Sequence, residues 1–286
     1  MAITVNTNLS AINIQNNLND ATDAMSKSML RMSTGFRINS ASDDAAGLAV
    51  STSFETTLSS SKVASKNVQI GSNLLTTTEG TLGVIKSNLQ RIRDLAEQSA
   101  NGTYSADDRA AMKAEAQQRA LEIDRLANST SFNGIKLLDG TQSSGIAIQV
   151  GTGSSADDSL TISSDVFAKA TVSAIQLTPA GGTSIDSAFE SAASSKAFLA
   201  NCTTALTNIT NRQTKIGAFQ NRLSAAGKNL TVQQTNLTAA NSTIKDADVA
   251  EESANYVKNQ ILQSASASLL AAANQAPSIA LKLING

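Results

Sequence analysis

The side chains that could carry a reaction are few. Cys202 is the only thiol, Asp43-Asp44 and Asp107-Asp108 are adjacent carboxylate pairs, and the 286 residues contain no histidine. The missing imidazole removes the commonest general base and metal ligand, and with it the zinc-protease class. One cysteine supports neither an internal disulfide nor a thiolate metal cluster, and on a helical seam it defaults to an inert core thiol. Each carboxylate pair stands at a helix start, where capping and the helix dipole account for it without catalysis. No catalytic, cofactor-binding or metal-ligating residue is assigned, and no enzymatic activity is expected. Triplets such as Asn128-Ser129-Thr130 and Asn208-Ile209-Thr210 fit chance in a chain rich in Asn, Ser and Thr, and no glycosylation site is assigned.

The remaining chemistry belongs to surfaces. With 22 basic and 23 acidic residues the net charge is −1, and no Lys/Arg stripe offers to neutralise phosphates, so nucleic acid is not an expected partner. The start, MAITVNTNLS, lacks the charged and apolar regions of a secretory signal, and there is no 18-residue apolar run to insert in a membrane. Either the protein stays in the cytosol or it leaves by a route that reads no cleaved signal. Only 3% of the residues are aromatic while 41% are hydrophobic, which suits small-residue helix packing better than a large globular core.

The elements that must position these surfaces begin with one very long helix, Ala45 to Ala100. Leu75, Thr78, Leu82, Ile85, Leu89, Ile92 and Ala96 alternate in steps of three and four, the seam of a left-handed coiled coil. At 1.5 Å per residue such a helix is roughly 80 Å long and needs partners along its stripe. One is a return helix to about Asn128, entered through the turn at Asn101-Gly102 and an approximate capping box, Ser105 with Asp108, and facing inward with Met112, Ala116, Ile123 and Leu126. The other runs from about 187 to 244, where Cys202, Ile209, Ile216, Leu223, Leu230, Leu237 and Ile244 recur at every seventh residue; the companion positions Gln213, Gln220, Gln234 and Asn241 are polar, a register device that costs stability.

The ends are weaker. Ile14, Leu18, Ala21, Met25, Met29, Met32 and Phe36 read as two eleven-residue repeats, and Ala250, Ala254, Val257, Ile261, Ala265, Leu269, Ala272 and Ala276 as a last helix of small residues. Between the first helix and the long one, RINSASDD (37–44) is a joint, with Ser42, Asp43 and Asp44 as cap and first-turn residues. Ile146, Ile148 and Val150 alternate against Leu160 and Ile162 as a hairpin, and the chain turns back at Pro179 to Gly182. The expected fold is mainly α: an elongated antiparallel helical coiled-coil bundle formed by both chain ends, with a small β-hairpin region at the tip. On the long helix Val84, Asn88, Arg91 and Leu95 form a second stripe that invites another chain, and antiparallel pairing brings Arg91 near Glu115 and Leu95 near Ala111.

LRMSTGFRINSASDDAAGLAV (30–50), LQRIRDLAEQSANGTYS (89–105), EIDRLANSTSFNGIKLLDG (122–140) and ILQSASASLLAAANQAP (261–277) closely resemble bacterial flagellin, in that family's order and spacing. The resemblance implies a structural subunit that polymerises into the flagellar filament, the propeller for swimming motility. It implies that 1–43 and 245–286 form terminal helices of the inner tube, that 44–140 with 187–244 form the coiled-coil core, and that 141–186 is a short variable middle without large outer domains. Leu18, Met25, Met32, Phe36, Val257, Ile261 and Leu269 are then the self-assembly residues, and Asn39, Asp43 and Ala46 the joint that switches filament shape. Secretion through the flagellar export channel to the bacterial flagellum, and dealings with an export chaperone, cap and junction proteins, are also implied. So is contact of Gln90, Arg91, Leu95 and Glu115 with a neighbouring subunit and with the flagellin-sensing Toll-like receptor; the plainer alternative is an exposed Arg91–Glu115 pair. A hook–filament junction protein and a non-flagellar secreted coiled-coil protein are the competing readings.

Overall fold

The computed structural model describes residues 7–178 and 185–285, with side chains up to 275 in the last helix; the expected turn at Pro179 to Gly182 and the side chain of Ala276 lie outside the described residues. Six α-helices are described: α1 Leu9–Thr34, α2 Ala45–Ser99, α3 Ala106–Ser129, α4 Ile185–Ala188, α5 Ala192–Lys245 and α6 Val249–Asn285. Four short strands, β1 Ser131–Phe132, β2 Ile135–Lys136, β3 Ile146–Gln149 and β4 Ser159–Ile162, lie between α3 and α4. The chain divides into two compact units, 59–234 and the pair of ends 1–58 with 235–286, so both α2 and α5 pass from one unit to the other.

Within 59–234 the expected seam is fully buried, from Leu75 through Ala96. The same three-four stepping continues backward through Gly71, Val68, Ala64 and Ser61, all buried. On α5, Cys202, Ile209, Ile216, Leu223 and Leu230 meet it, each buried apolar side chain contributing about 1.5–3 kcal/mol. The polar companions find partners on α2: Gln220 donates to Glu79 at 2.9 Å and Gln234 to Ser61 at 3.2 Å, while Ser195 donates to Ser99 at 2.8 Å. Numbers rise on one helix as they fall on the other, so the pairing is antiparallel. The helix α3 joins on the other side through Ala116, Ala120, Ile123 and Ala127, whose small size permits close approach, and it too is antiparallel to α2. Its capping box forms as expected, with Ser105 and Asp108 each accepting from the other's backbone N–H.

The expected hairpin forms, with Ile146 opposite Ile162 and Ile148 opposite Leu160. A second, smaller hairpin, β1 with β2, turns on Asn133-Gly134, a strong two-residue turn signal beyond the expected end of the return helix that was not singled out from the sequence. The middle is more than a hairpin, because the turns over 163–178 bury Val166, Phe167, Ala170, Val172, Ile175 and Leu177 in the same core.

In the other unit α1 and α6 pair antiparallel: Asn8 Nδ2 donates to Ala273 O at 2.9 Å, Gln263 Nε2 to Thr22 Oγ1 at 3.1 Å, and Arg31 Nη1 to Glu252 Oε1 at 2.8 Å. Asn8 caps the start of α1, and Gly35, at φ 74°, ends it in the left-handed conformation that favours glycine. The expected eleven-residue repeat is corrected here. Ser28 is buried and Met29 is half exposed, so the covered face runs Ile14, Leu18, Ala21, Met25, Ser28, Met32 in heptad steps. The helical period carries position 28, not 29, onto the stripe through Met25 and Met32, so geometry rather than hydropathy decides which is covered. Leu237 and Ile244, expected in the α5 core, are only half-buried.

Candidate functional site

Three surfaces answer to the expected site residues. The first is on α6. The face turned to α1 is largely polar: Glu252 is buried, and Tyr256, Asn259, Gln263 and Ser266 are partly covered at heptad spacing. Val257, Ile261 and Leu269 point away from it, 51%, 63% and 58% exposed, together with Val249 and Leu262. On α1 the expected assembly residues Leu18, Met25 and Met32 are partly covered, Phe36 is exposed at the end of the helix, and Leu9, Ile12, Met29 and Leu30 are open. A helix ordinarily turns its apolar stripe inward. On α6 the polar face is turned inward and the apolar stripe faces out, the arrangement expected of a surface kept for another chain.

The second is the joint. Asp44, immediately before α2, accepts the Gly47 N–H at 2.9 Å and is the cap. Asp43 is not a cap, correcting the expected shared role; it accepts the N–H groups of Asn39 and Ser40 and pairs with Lys27 at 2.8 Å. Lys27 foremost, then those N–H groups, hold the Asp43 carboxyl well below the usual carboxylate range. Asn39 Nδ2 donates to Thr34 Oγ1 at 2.9 Å, Ile38 is buried, and Ala46 is exposed in the first turn of α2. The joint is stitched to the crossing between α5 and α6: Arg37 N donates to Lys245 O at 2.7 Å and Ala247 N to Gly35 O at 2.9 Å. Arg37 Nη2 also donates to Ile244 O at 2.7 Å. Lys245 Nζ lies 2.6 Å from Glu55, holding that carboxyl below its ordinary value, and 4.7 Å from the centre of the Phe36 ring. Neither Lys245 nor Glu55 stood out in the sequence, because an ion pair joining residues so distant in the chain leaves no local pattern.

The third is the Arg91 patch in the 59–234 unit. Arg91 grips Glu115 with two hydrogen bonds, Nε to Oε1 at 2.8 Å and Nη2 to Oε2 at 3.0 Å, and Arg119 adds a second cation at 3.6 Å. Arg91 foremost lowers the Glu115 pKa. Gln90 is exposed beside them. Leu95, read from the sequence as exposed next to Arg91, is only 2% exposed: α2 is covered by α3 as well as by α5, and Leu95 turns into that core. Cys202 is buried at the α2–α5 seam, and loss of solvent pushes its thiol up to about 12.

Fold and surfaces define a coiled-coil helical protein that presents apolar helix faces. Among the described residues no group of His, Cys, Asp and Glu could hold a metal ion, and no helix is long and apolar enough to cross a membrane. The bacterial flagellin N-terminal helical region matches residues 5–143 and the C-terminal helical region matches 199–284. A B-type flagellin of Pseudomonas aeruginosa is 48% identical over 141 residues, covering 49% of this chain and 29% of its own length. The flagellin of solved structure from Bacillus cereus is 32% identical, covering 62% of this chain and 94% of that one, with a TM-score of 0.47. A protein of Vibrio parahaemolyticus described as flagellar hook-associated shares the fold at a TM-score of 0.60 and 20% identity, over 71% of this chain and 100% of its own. This chain belongs to the bacterial flagellin family, a family of structural proteins. It spans about three tenths of the length of the curated relatives it matches.

Proposed function

We propose that the chain polymerises into the bacterial flagellar filament, with 1–43 and 245–286 forming the inner layer, 44–140 with 187–244 the coiled-coil layer around it, and 141–186 a short outer face. The observation that carries the reading is the outward apolar stripe of α6, Val257, Ile261 and Leu269, on a helix whose covered face is polar. Several such stripes per subunit must be buried between chains, an interface of the obligate kind. The joint, with Asn39, Asp43 and Ala46, sets how the two layers are held and so the filament's waveform. Delivery through the flagellar export channel, with an export chaperone, cap and junction proteins as partners, follows from the same reading. The Gln90, Arg91 and Glu115 patch is a contact for a neighbouring subunit and, on the free subunit, for a Toll-like receptor, with Leu95 supporting Arg91 from the core. Electron microscopy of the purified chain after ammonium sulfate seeding tests the reading. Long filaments are expected; seeds that fail to extend at high protein concentration would refute it.

A further inference from the structure

We propose that Asn101-Gly102 is a spontaneous deamidation site and that the second Asn-Gly pair, Asn133-Gly134, is held unreactive by the fold. The reaction needs three things at one residue: a backbone nitrogen free to attack, a side-chain amide carbon within its reach, and a donor for the oxygen that gathers charge as the bond forms. At the α2–α3 turn the first and third are present, and the second follows from the chain itself, the Asn101 amide carbon and the Gly102 nitrogen belonging to adjacent residues. Asn101, Gly102 and Thr103 are exposed, and the Gly102 N–H has no backbone acceptor among the described residues. Gly102 also has no neighbouring atom to crowd it. Asn101 Oδ1 accepts the Thr103 N–H at 3.2 Å. That hydrogen bond folds the side-chain amide over the following peptide and points a donor at the oxygen that becomes an oxyanion.

The step balances without a cofactor. The Gly102 nitrogen loses its proton to solvent hydroxide and bonds to Asn101 Cγ, the electron pair moving onto Oδ1. The intermediate collapses as Nδ2 takes a proton from water, returning the hydroxide; the Cγ–Nδ2 bond breaks and ammonia leaves, giving a five-membered succinimide. Water then opens the ring at either carbonyl, yielding aspartate or isoaspartate.

Asn133-Gly134 has the same dipeptide and lacks the geometry. Both residues sit at positive φ, 48° and 80°, between the paired residues Phe132–Ile135 and Ser131–Lys136. Ring closure there must rotate the peptide out of a two-residue turn and break that ladder. No hydrogen bond to the Asn133 side chain occurs among the described residues, so the oxyanion has no preset donor.

The test is peptide mapping of the full-length monomer held under mildly alkaline conditions, scoring the mass change from amide to acid at both sites and labelling isoaspartate with an isoaspartyl methyltransferase. A buried oxyanion donor is worth about a hundredfold or more in rate; in an exposed turn the expected excess of Asn101 over Asn133 is about tenfold. In denaturant the two rates should converge. Thr103→Pro keeps the Asn-Gly pair and removes the donor, and should slow Asn101 severalfold while circular dichroism reports unchanged helicity; Gly102→Ala should slow it further. Equal rates at the two sites in the folded chain, a preference that survives denaturation, or Thr103→Pro reacting at the wild-type rate in a chain of normal helicity would each overturn the proposal.

Discussion

Replacing Ile261 and Leu269 by alanine separates assembly from folding more cleanly than any other change the structure suggests. Burying a whole Ile or Leu contributes about 1.5–3 kcal/mol. With 63% and 58% of these side chains exposed in the single chain, about 1–2 kcal/mol remains for each to gain at a neighbour. The pair is then worth about 2–3.5 kcal/mol per subunit, a rise of roughly 30- to 300-fold in the concentration needed for polymerisation. The subunit itself should be indifferent: both residues lie on an outward helix face, alanine is the better helix former, and a surface change of this kind stays within about 0.5 kcal/mol. Leu89→Ala provides the contrast. It empties a fully buried seam position and should cost the subunit about 2–5 kcal/mol. The assay is sedimentation of seeded polymer over a concentration series, with thermal unfolding of the unpolymerised chain alongside. An Ile261→Ala/Leu269→Ala double variant that polymerises at the wild-type concentration, or that unfolds several degrees early, would show that the stripe serves the single chain and would undo the argument.

Hydrogen exchange on the unassembled chain should find amides near Leu18 and Ile261 exchanging far faster than those near Leu89, and slowing on polymerisation; strong protection before assembly would count against this. Acid should loosen the joint. Asp43 and Glu55 have lowered pKa values, so the stability they contribute is present above the ordinary carboxylate pKa and is lost as pH falls below about 4 toward their folded values. Asp43→Asn should flatten that dependence in a pH series of thermal melts, and an unchanged slope would exclude the Lys27–Asp43 pair as its source. Substitutions at Asn39, Asp43 and Ala46 should alter filament waveform under dark-field microscopy more than they alter melting; a series that all keeps the parental waveform would exclude the joint as the switch. Arg91→Ala should weaken a receptor-reporter response to the free subunit, whereas undiminished signalling would leave Arg91 and Glu115 as an exposed pair worth at most about 1 kcal/mol.

How much was legible in the sequence depended on whether burial and hydropathy agree. From Leu75 to Ala96 they do, and the stripe, its partner on α5 and the polar register positions can all be read from spacing. From Ser61 to Gly71 the same seam continues through small residues, which carry no hydrophobic signal although they let helices approach closely. Leu95 was misjudged because the whole second stripe was given to another chain: it splits, with Val84 half exposed and Leu95 buried in the chain's own core, and spacing alone does not say where along a stripe the cover ends. The α2–α3 turn and the Arg91–Glu115 pairing were foreseen because a short turn fixes antiparallel register, whereas the Lys245–Glu55 clasp required a fold already in hand.

The ends of the chain show a different kind of failure. Hydrophobic periodicity located the stripe on α6 correctly and says nothing about what covers it. Within one chain α1 covers the opposite, polar face, where Arg31 meets Glu252 and Gln263 reaches Thr22. Such a seam adds little apolar burial against the roughly 1–2 kcal/mol lost for every residue ordered. It does supply register, because a largely buried ion pair and directed hydrogen bonds tolerate one alignment of the two helices and penalise a slip. The division of labour on α6 is therefore physical: its polar contacts select how it meets the largely apolar covered face of α1, and its own apolar stripe is left outside. A chain built this way gains most of its terminal stability only from what it packs against. In the proposed filament a neighbour presenting the same two helices in the same register would offer the matching stripes, so that each added subunit would extend a surface the next could use.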